Sequence, residues 1–190
     1  MNKPASLASA QNQLCAVALG VEYNGLRYCG WQTQPDQPTV QDALELALKK
    51  FVTKPVATIC AGRTDTGVHG TGQVVSIAVD CVRSESSWVR GVNTFLPEDI
   101  AVRWAKVVPC DFSARFDALS RTYEYWICND RVRSPVMAGR TGWVWRPCDE
   151  KIMHEQAQCL VGEHDFSSFR ASECQAATPV RTIHSLKVRR

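Results

Sequence analysis

Apolar residues recur along the first half of the chain in two periods. Residues 14–23 form a β-forming apolar run that closes on Asn24-Gly25, a strand followed by a turn. Residues 39–51 carry Val40, Ala43, Leu44, Ala47, Leu48 and Phe51 at helical spacing, behind the start signals Pro38 and Thr39. Residues 56–60 read as a short strand. Val75, Ile77, Val79 and Cys81 alternate with smaller or polar residues, as a half-buried strand requires. Ser84 is placed to cap a helix bearing Trp88, Val89, Val92 and Leu96, which Pro97 stops. Residues 101–108 alternate once more. The order β-α-β-β-α-β predicts a split βαβ, ferredoxin-like unit with an antiparallel sheet and two helices on one face.

The pattern breaks across residues 109–117 and then restarts. Residues 121–129 predict a strand with Tyr123, Tyr125 and Ile127 alternating. Trp143 to Trp145 reads as a short extended piece, residues 149–161 as a helix capped by Asp149 and ended by Gly162, and residues 183–188 as a strand. The expectation is an α+β chain of two ferredoxin-like units with antiparallel sheets, the second incomplete. Residues 1–13 form a polar, Ala/Ser-rich tail, 14–109 the first domain and 110–190 the second.

Charge narrows the classes of partner only slightly. The net charge is +3, and residues 1–95 hold 8 Lys+Arg against 7 Asp+Glu, leaving 14 against 12 for the remainder. Neither part is a basic arm, so any contact with nucleic acid has to rest on locally placed arginines. The nine cysteines fit neither a zinc site nor a disulfide framework, read as small buried hydrophobes, and by their odd number point to a reducing compartment. No apolar run approaches membrane-spanning length.

The candidate chemistry sits in Gly62-Arg63-Thr64-Asp65-Thr66-Gly67-Val68-His69-Gly70. Glycines and turn formers place Asp65 on a tight loop between two strands, within reach of a substrate. Arg63 beside it favours the ionised carboxylate, the state a nucleophile needs. Chemistry alone leaves two readings open, because Thr-Asp-Thr-Gly is also a common turn. Arg63 is either an ion-pair partner of Asp65 or a substrate contact. Tyr123 is either a core aromatic or a stacking platform. His69 reads more readily as structural than as a general base.

The stretch resembles the catalytic loop of the TruA family of tRNA pseudouridine synthases. That family's pattern, Ala-Gly-Arg-Thr-Asp-x-Gly-Val-His-Ala, is met from Ala61 to His69, with Gly70 in place of the last alanine. Tyr23-Asn24-Gly25, Gly30-Trp31-Gln32-x-Gln34, Thr39-Val40-Gln41 and Asn93-x-x-Leu96-Pro97-x-Asp99-Ile100 resemble further family segments in the right order. So do Phe112 to Ala118, Ser120-Arg121-Thr122-Tyr123-x-Tyr125, Gly162-x-His164-Asp165-Phe166-x-x-Phe169-Arg170 and Val180-Arg181-Thr182-Ile183. The family's Phe-Leu-x-x-Met-Val-Arg segment has no counterpart, which is why the second unit is expected to be incomplete.

The resemblance implies a cytoplasmic isomerase that converts uridine to pseudouridine in the anticodon stem-loop of tRNA, with Asp65 as nucleophile and no cofactor or metal. It implies that Arg63 fills the vacated stack or holds a phosphate, and that Tyr123 stacks on the flipped uracil. It further implies a homodimer across which one tRNA lies. Arg115, Arg121, Arg170 and Arg181 are either phosphate contacts along an RNA path or solvated surface charges. Two other readings compete: a non-catalytic RNA-binding or tRNA-folding module, and a hydrolase using Asp65 with an unidentified partner or His69.

Overall fold

The computed structural model describes residues 15–81, 83–170 and 178–190. The predicted tail, residue 14 and Cys174 lie outside the described residues. The chain is an α+β protein in two compact units, Met1–Tyr123 and Glu124–Arg190. The sequence pattern breaks earlier, at residues 109–117. The first unit nevertheless extends to Tyr123, because Ala114 is buried and donates its N–H to Ser76 Oγ at 3.1 Å, and Arg121 bonds back to Ala61.

Four strands of the first unit form one antiparallel sheet in the order β2-β3-β1-β4: β1 (Cys15–Tyr23), β2 (Thr58–Cys60), β3 (Gly70–Val79) and β4 (Ile100–Val108). Helix α1 (Val40–Val52) connects β1 to β2, and α2 (Glu85–Asn93) connects β3 to β4. Each connection returns one strand away, with another strand threaded between. Thr39 caps α1, its hydroxyl accepting from the Asp42 N–H, and Ser84 caps α2 by accepting from Ser87. Helix α2 stops at Asn93, short of the predicted Leu96.

One face of the sheet is lined by Val17, Leu19, Val21, Val75, Ile77 and Val102, and both helices pack on it through Leu44, Leu48, Trp88 and Val92. Each fully buried aliphatic side chain contributes about 1.5–3 kcal/mol, so this single cluster holds the unit together. On the opposite face β1 presents Ala16, Ala18 and Gly20. A methyl group at Gly20 would lie 2.0 Å from the Trp104 indole, so the small residue there makes room for the ring. The β1–β4 register shifts between Gly20 and Val21.

The second unit is built from short pieces: β5 (Ile127–Asn129), β6 (Gly142–Val144), α3 (Glu150–Ala157), β7 (Gly162–Asp165) and β8 (Val180–Ile183). Here β7 and β8 are antiparallel, but β5 and β6 run parallel, unlike the antiparallel sheet the sequence predicts. The predicted strand over 121–129 survives only at its end, and the strand predicted at 183–188 is displaced to Val180–Ile183. None of the described residues of this unit is buried, and Tyr125, Trp126, Trp143, Trp145 and Ile152 are all exposed. Alternation there has no packed face to enforce it, which is why strand predictions made from alternation fail. The cysteine reading is also corrected. Among the described residues Cys29, Cys60, Cys81, Cys128 and Cys148 are half-buried and Cys110 and Cys159 exposed, so none of these seven is a fully buried hydrophobe. No described helix is long and apolar enough to cross a membrane.

Candidate active site

Residues 61–69 connect β2 to β3, and almost every second backbone group of this loop is held. The Ala61 N–H donates to Val74 O at 2.8 Å, extending the β2–β3 ladder past Cys60. The Gln73 side chain then brackets Gly62: its Oε1 accepts from the Gly62 N–H at 3.3 Å and its Nε2 donates to the Gly62 carbonyl. Thr64 is held twice, by the Trp31 N–H on its carbonyl at 2.9 Å and by the Tyr23 hydroxyl on its Oγ1 at 2.8 Å. A turn closes from the Asp65 carbonyl to the Val68 N–H at 3.1 Å, with Gly67 at φ +78°. Gly67 N–H donates to Tyr28 O, and the Gly25 N–H donates to His69 Nδ1, both at 3.3 Å.

The buttress for this loop is therefore the segment from Tyr23 to Trp31, which follows β1. Two glycines allow it to lie so close. A methyl group on Gly25 would stand 2.0 Å from the Val68 carbonyl oxygen, and one on Gly30, at φ +87°, 2.6 Å from the Thr64 carbonyl oxygen. The buttress is itself anchored at the start of β4. Tyr28 donates its hydroxyl to Asp99 Oδ1 at 2.7 Å, the Asn24 N–H donates to Asp99 O at 2.8 Å, and Arg27 Nη1 faces Asp99 Oδ2 at 3.4 Å. Burial, and next the Asp99 carboxylate, push the Tyr28 phenol well above its ordinary range.

On this clamped backbone Arg63 and Asp65 are exposed, with Thr64 half-buried between them. Arg121 anchors the entrance of the loop, donating from Nε at 2.8 Å and also from Nη2 to the Ala61 carbonyl. Its Nη2 also lies 3.4 Å from Arg115 O. Burial pushes the Cys60 thiol up, and Arg63, Arg115 and Arg121 are all near enough to pull it the other way. Three of the arginines singled out in the sequence thus gather where β2 enters the loop. Tyr123, two residues beyond Arg121, is 66% exposed rather than a core aromatic. Arg170 and Arg181 belong to the second unit, where Arg181 Nη1 donates to Thr178 O and Val180 O. Among the described residues no group of three or more His, Cys, Asp or Glu is placed to hold a metal ion.

An exposed carboxylate on a rigid loop beside a cationic cluster suits an anionic substrate presented to a nucleophile. Comparison with known proteins narrows this. The sequence profile of tRNA pseudouridine synthases matches residues 20–117 and 156–190. The chain belongs to the tRNA pseudouridine synthase family. Within that family it is 54% identical over 173 residues to tRNA pseudouridine synthase A of Paraburkholderia phymatum, covering 91% of this chain and 65% of that protein. It is 55% identical over 174 residues to the protein of the same name from Burkholderia ambifaria and 56% identical over 174 residues to that of Acidovorax sp., covering 92% of this chain and 64% of each relative. The chain therefore spans just under two thirds of the length of these pseudouridine synthases.

The sequence singled out the exposed residues of this pseudouridine synthase loop and gave no role to what supports it. Tyr23, Asn24 and Gly25 carried the family resemblance, as did Trp31 and Asp99, but no chemistry in the sequence pointed from them to Asp65. Gln73 carried no signal at all, since a glutamine in a strand reads as a solvated position.

Proposed function

We propose that the protein isomerises uridine to pseudouridine in the anticodon stem-loop of tRNA, with Asp65 as the nucleophile. What carries the reading is the loop itself: the family pattern from Ala61 to His69 coincides with a backbone clamped on both sides of an exposed Asp65. In the reaction the C1′–N1 bond of uridine breaks, the uracil turns over, and a C1′–C5 bond forms. The C5 hydrogen leaves to solvent and N1 gains a proton, so the conversion needs no redox equivalent and no group donor. Asp65 attacks either the sugar at C1′ or the base at C6, or assists elimination at the sugar, before being released.

The target base has to leave its stack, at a cost of a few kcal/mol that protein contacts offset. Arg63, next to Asp65 but one on the loop, takes the vacated space or a phosphate oxygen. Tyr123, with its exposed ring, stacks on the flipped uracil. Arg115 faces the RNA backbone from the same cationic cluster, and Arg121 belongs to it through the loop entrance. Arg170 and Arg181 are the candidate RNA contacts of the second unit. The first unit's strand order and two connecting helices support a ferredoxin-like split βαβ scaffold, and the family resemblance supports a cytoplasmic homodimer. The test is tritium release from tRNA labelled at uridine C5. Wild-type release with none from Asp65→Asn supports the reading. Equal release from both proteins overturns it, and tRNA binding without any release favours a non-catalytic RNA-binding module.

A further inference from the structure

We infer that Tyr23 is a positioning residue for Asp65, acting through Thr64; this rests on the reading of Asp65 as the nucleophile. Tyr23 ends β1 and is only 3% exposed. Its ring is held on two sides. It lies 5.8 Å from the Trp31 ring, and a methyl group on Gly70, where the loop enters β3, would stand 2.5 Å from it. With the ring fixed, the hydroxyl has one place to be: 2.8 Å from Thr64 Oγ1, on the residue next to Asp65. Across the loop the Gln73 amide brackets Gly62, on the other side of Arg63 from Thr64. The phenol thus holds Thr64, the residue between Arg63 and Asp65, by its side chain.

Core packing does not require this hydroxyl. Phenylalanine would fill the same space in the cluster, so the polar atom adds orientation rather than volume. Thr64 cannot rotate its side chain away without leaving a buried phenol unpaired. Its carbonyl is fixed independently by the Trp31 N–H. Side chain and backbone of Thr64 are therefore both fixed, and this sets the direction in which the next Cα–Cβ bond, that of Asp65, leaves the chain. A shift of about 1 Å at a reacting group costs on the order of a hundredfold in rate.

The test compares the full chain with Tyr23→Phe, Thr64→Val, the double variant and Asp65→Asn. Single-turnover tritium release from C5-labelled tRNA, tRNA affinity by filter binding and the thermal melt are measured for each. The expected result is a rate for Tyr23→Phe lowered by roughly tenfold to a hundredfold, with affinity and melting temperature near wild type. Thr64→Val should do the same, and the double variant should be no slower than the worse single one. Wild-type release that Asp65→Asn abolishes and Tyr23→Phe leaves unchanged overturns the role of Tyr23 and spares that of Asp65. A Tyr23→Phe defect that falls equally on affinity, or follows a collapsed melt, marks a folding role and also overturns it. Absence of release from the wild type, or full release from Asp65→Asn, overturns the assignment of Asp65 and this inference with it.

Discussion

Gly25→Ala is the sharpest perturbation the loop offers. The added methyl group would sit 2.0 Å from the Val68 carbonyl oxygen and 2.6 Å from its carbon, both backbone atoms that no rotamer change relieves. Ordinary contact begins at 3.4 Å, so loop and buttress must part by more than about 1 Å. Parting breaks the Gly25 N–H bond to His69 Nδ1 and strains that of Gly67 to Tyr28 O. Each is worth about 1 kcal/mol, so chemical denaturation should register a loss of about 2 kcal/mol. The core cluster on the two helices is untouched, and the fold should persist. Turnover should suffer more, because displacing a reacting group by about 1 Å costs on the order of a hundredfold. Gly72→Ala is the control, since a methyl group there meets nothing within 4 Å among the described residues. The assay is single-turnover pseudouridine formation, with tRNA affinity measured alongside. A Gly25→Ala protein that turns over at the wild-type rate would refute the claim that the buttress sets the position of Asp65.

Other outcomes follow from the same geometry. Trp88→Ala should cost about 3–5 kcal/mol, because the ring is fully buried and edge-on to Phe51 at 5.3 Å. Trp88→Phe should cost much less in the same denaturation experiment, because the indole N–H is buried without a hydrogen-bond partner among the described residues. Arg121→Ala should lower the rate more than tRNA affinity and leave the salt dependence of binding nearly unchanged, because its guanidinium is engaged with Ala61; Arg115→Ala should reduce the salt slope by about one. The Tyr28 phenol is raised in the folded state, so its contribution is complete below the ordinary phenol value of about 10 and is lost as pH rises beyond it, where the unfolded chain ionises first. Alkaline unfolding should therefore begin above about pH 10, and Tyr28→Phe should flatten the decline.

The parts of this molecule that were legible in its sequence are those where a packed face enforces a period. The stripe Val40, Leu44, Ala47 and Leu48 is fully buried, and the predicted helix differs from α1 by one residue at each end. Helix α2 ends at Asn93 with Thr94 as its C-cap, and Leu96, beyond it, is only partly buried against the cluster. Across residues 121–129, Tyr123, Tyr125 and Ile127 alternate as a strand would, yet all three are exposed and only Ile127 enters a ladder. At the loop, the motif located Arg63 and Asp65 because their types carry chemistry. The residues that hold them there act through backbone atoms and long-range contacts, such as Tyr23 to Thr64 and Gln73 to Gly62. Such contacts leave no periodic trace.

Pseudouridine formation by Asp65→Asn, set beside the wild-type chain on the same tRNA, decides whether Asp65 is the nucleophile. The substitution keeps the shape of the side chain and removes the carboxylate's charge. The wild type should release C5 tritium and Asp65→Asn none, with equal tRNA affinity for both. Release by Asp65→Asn at the wild-type rate would contradict that role.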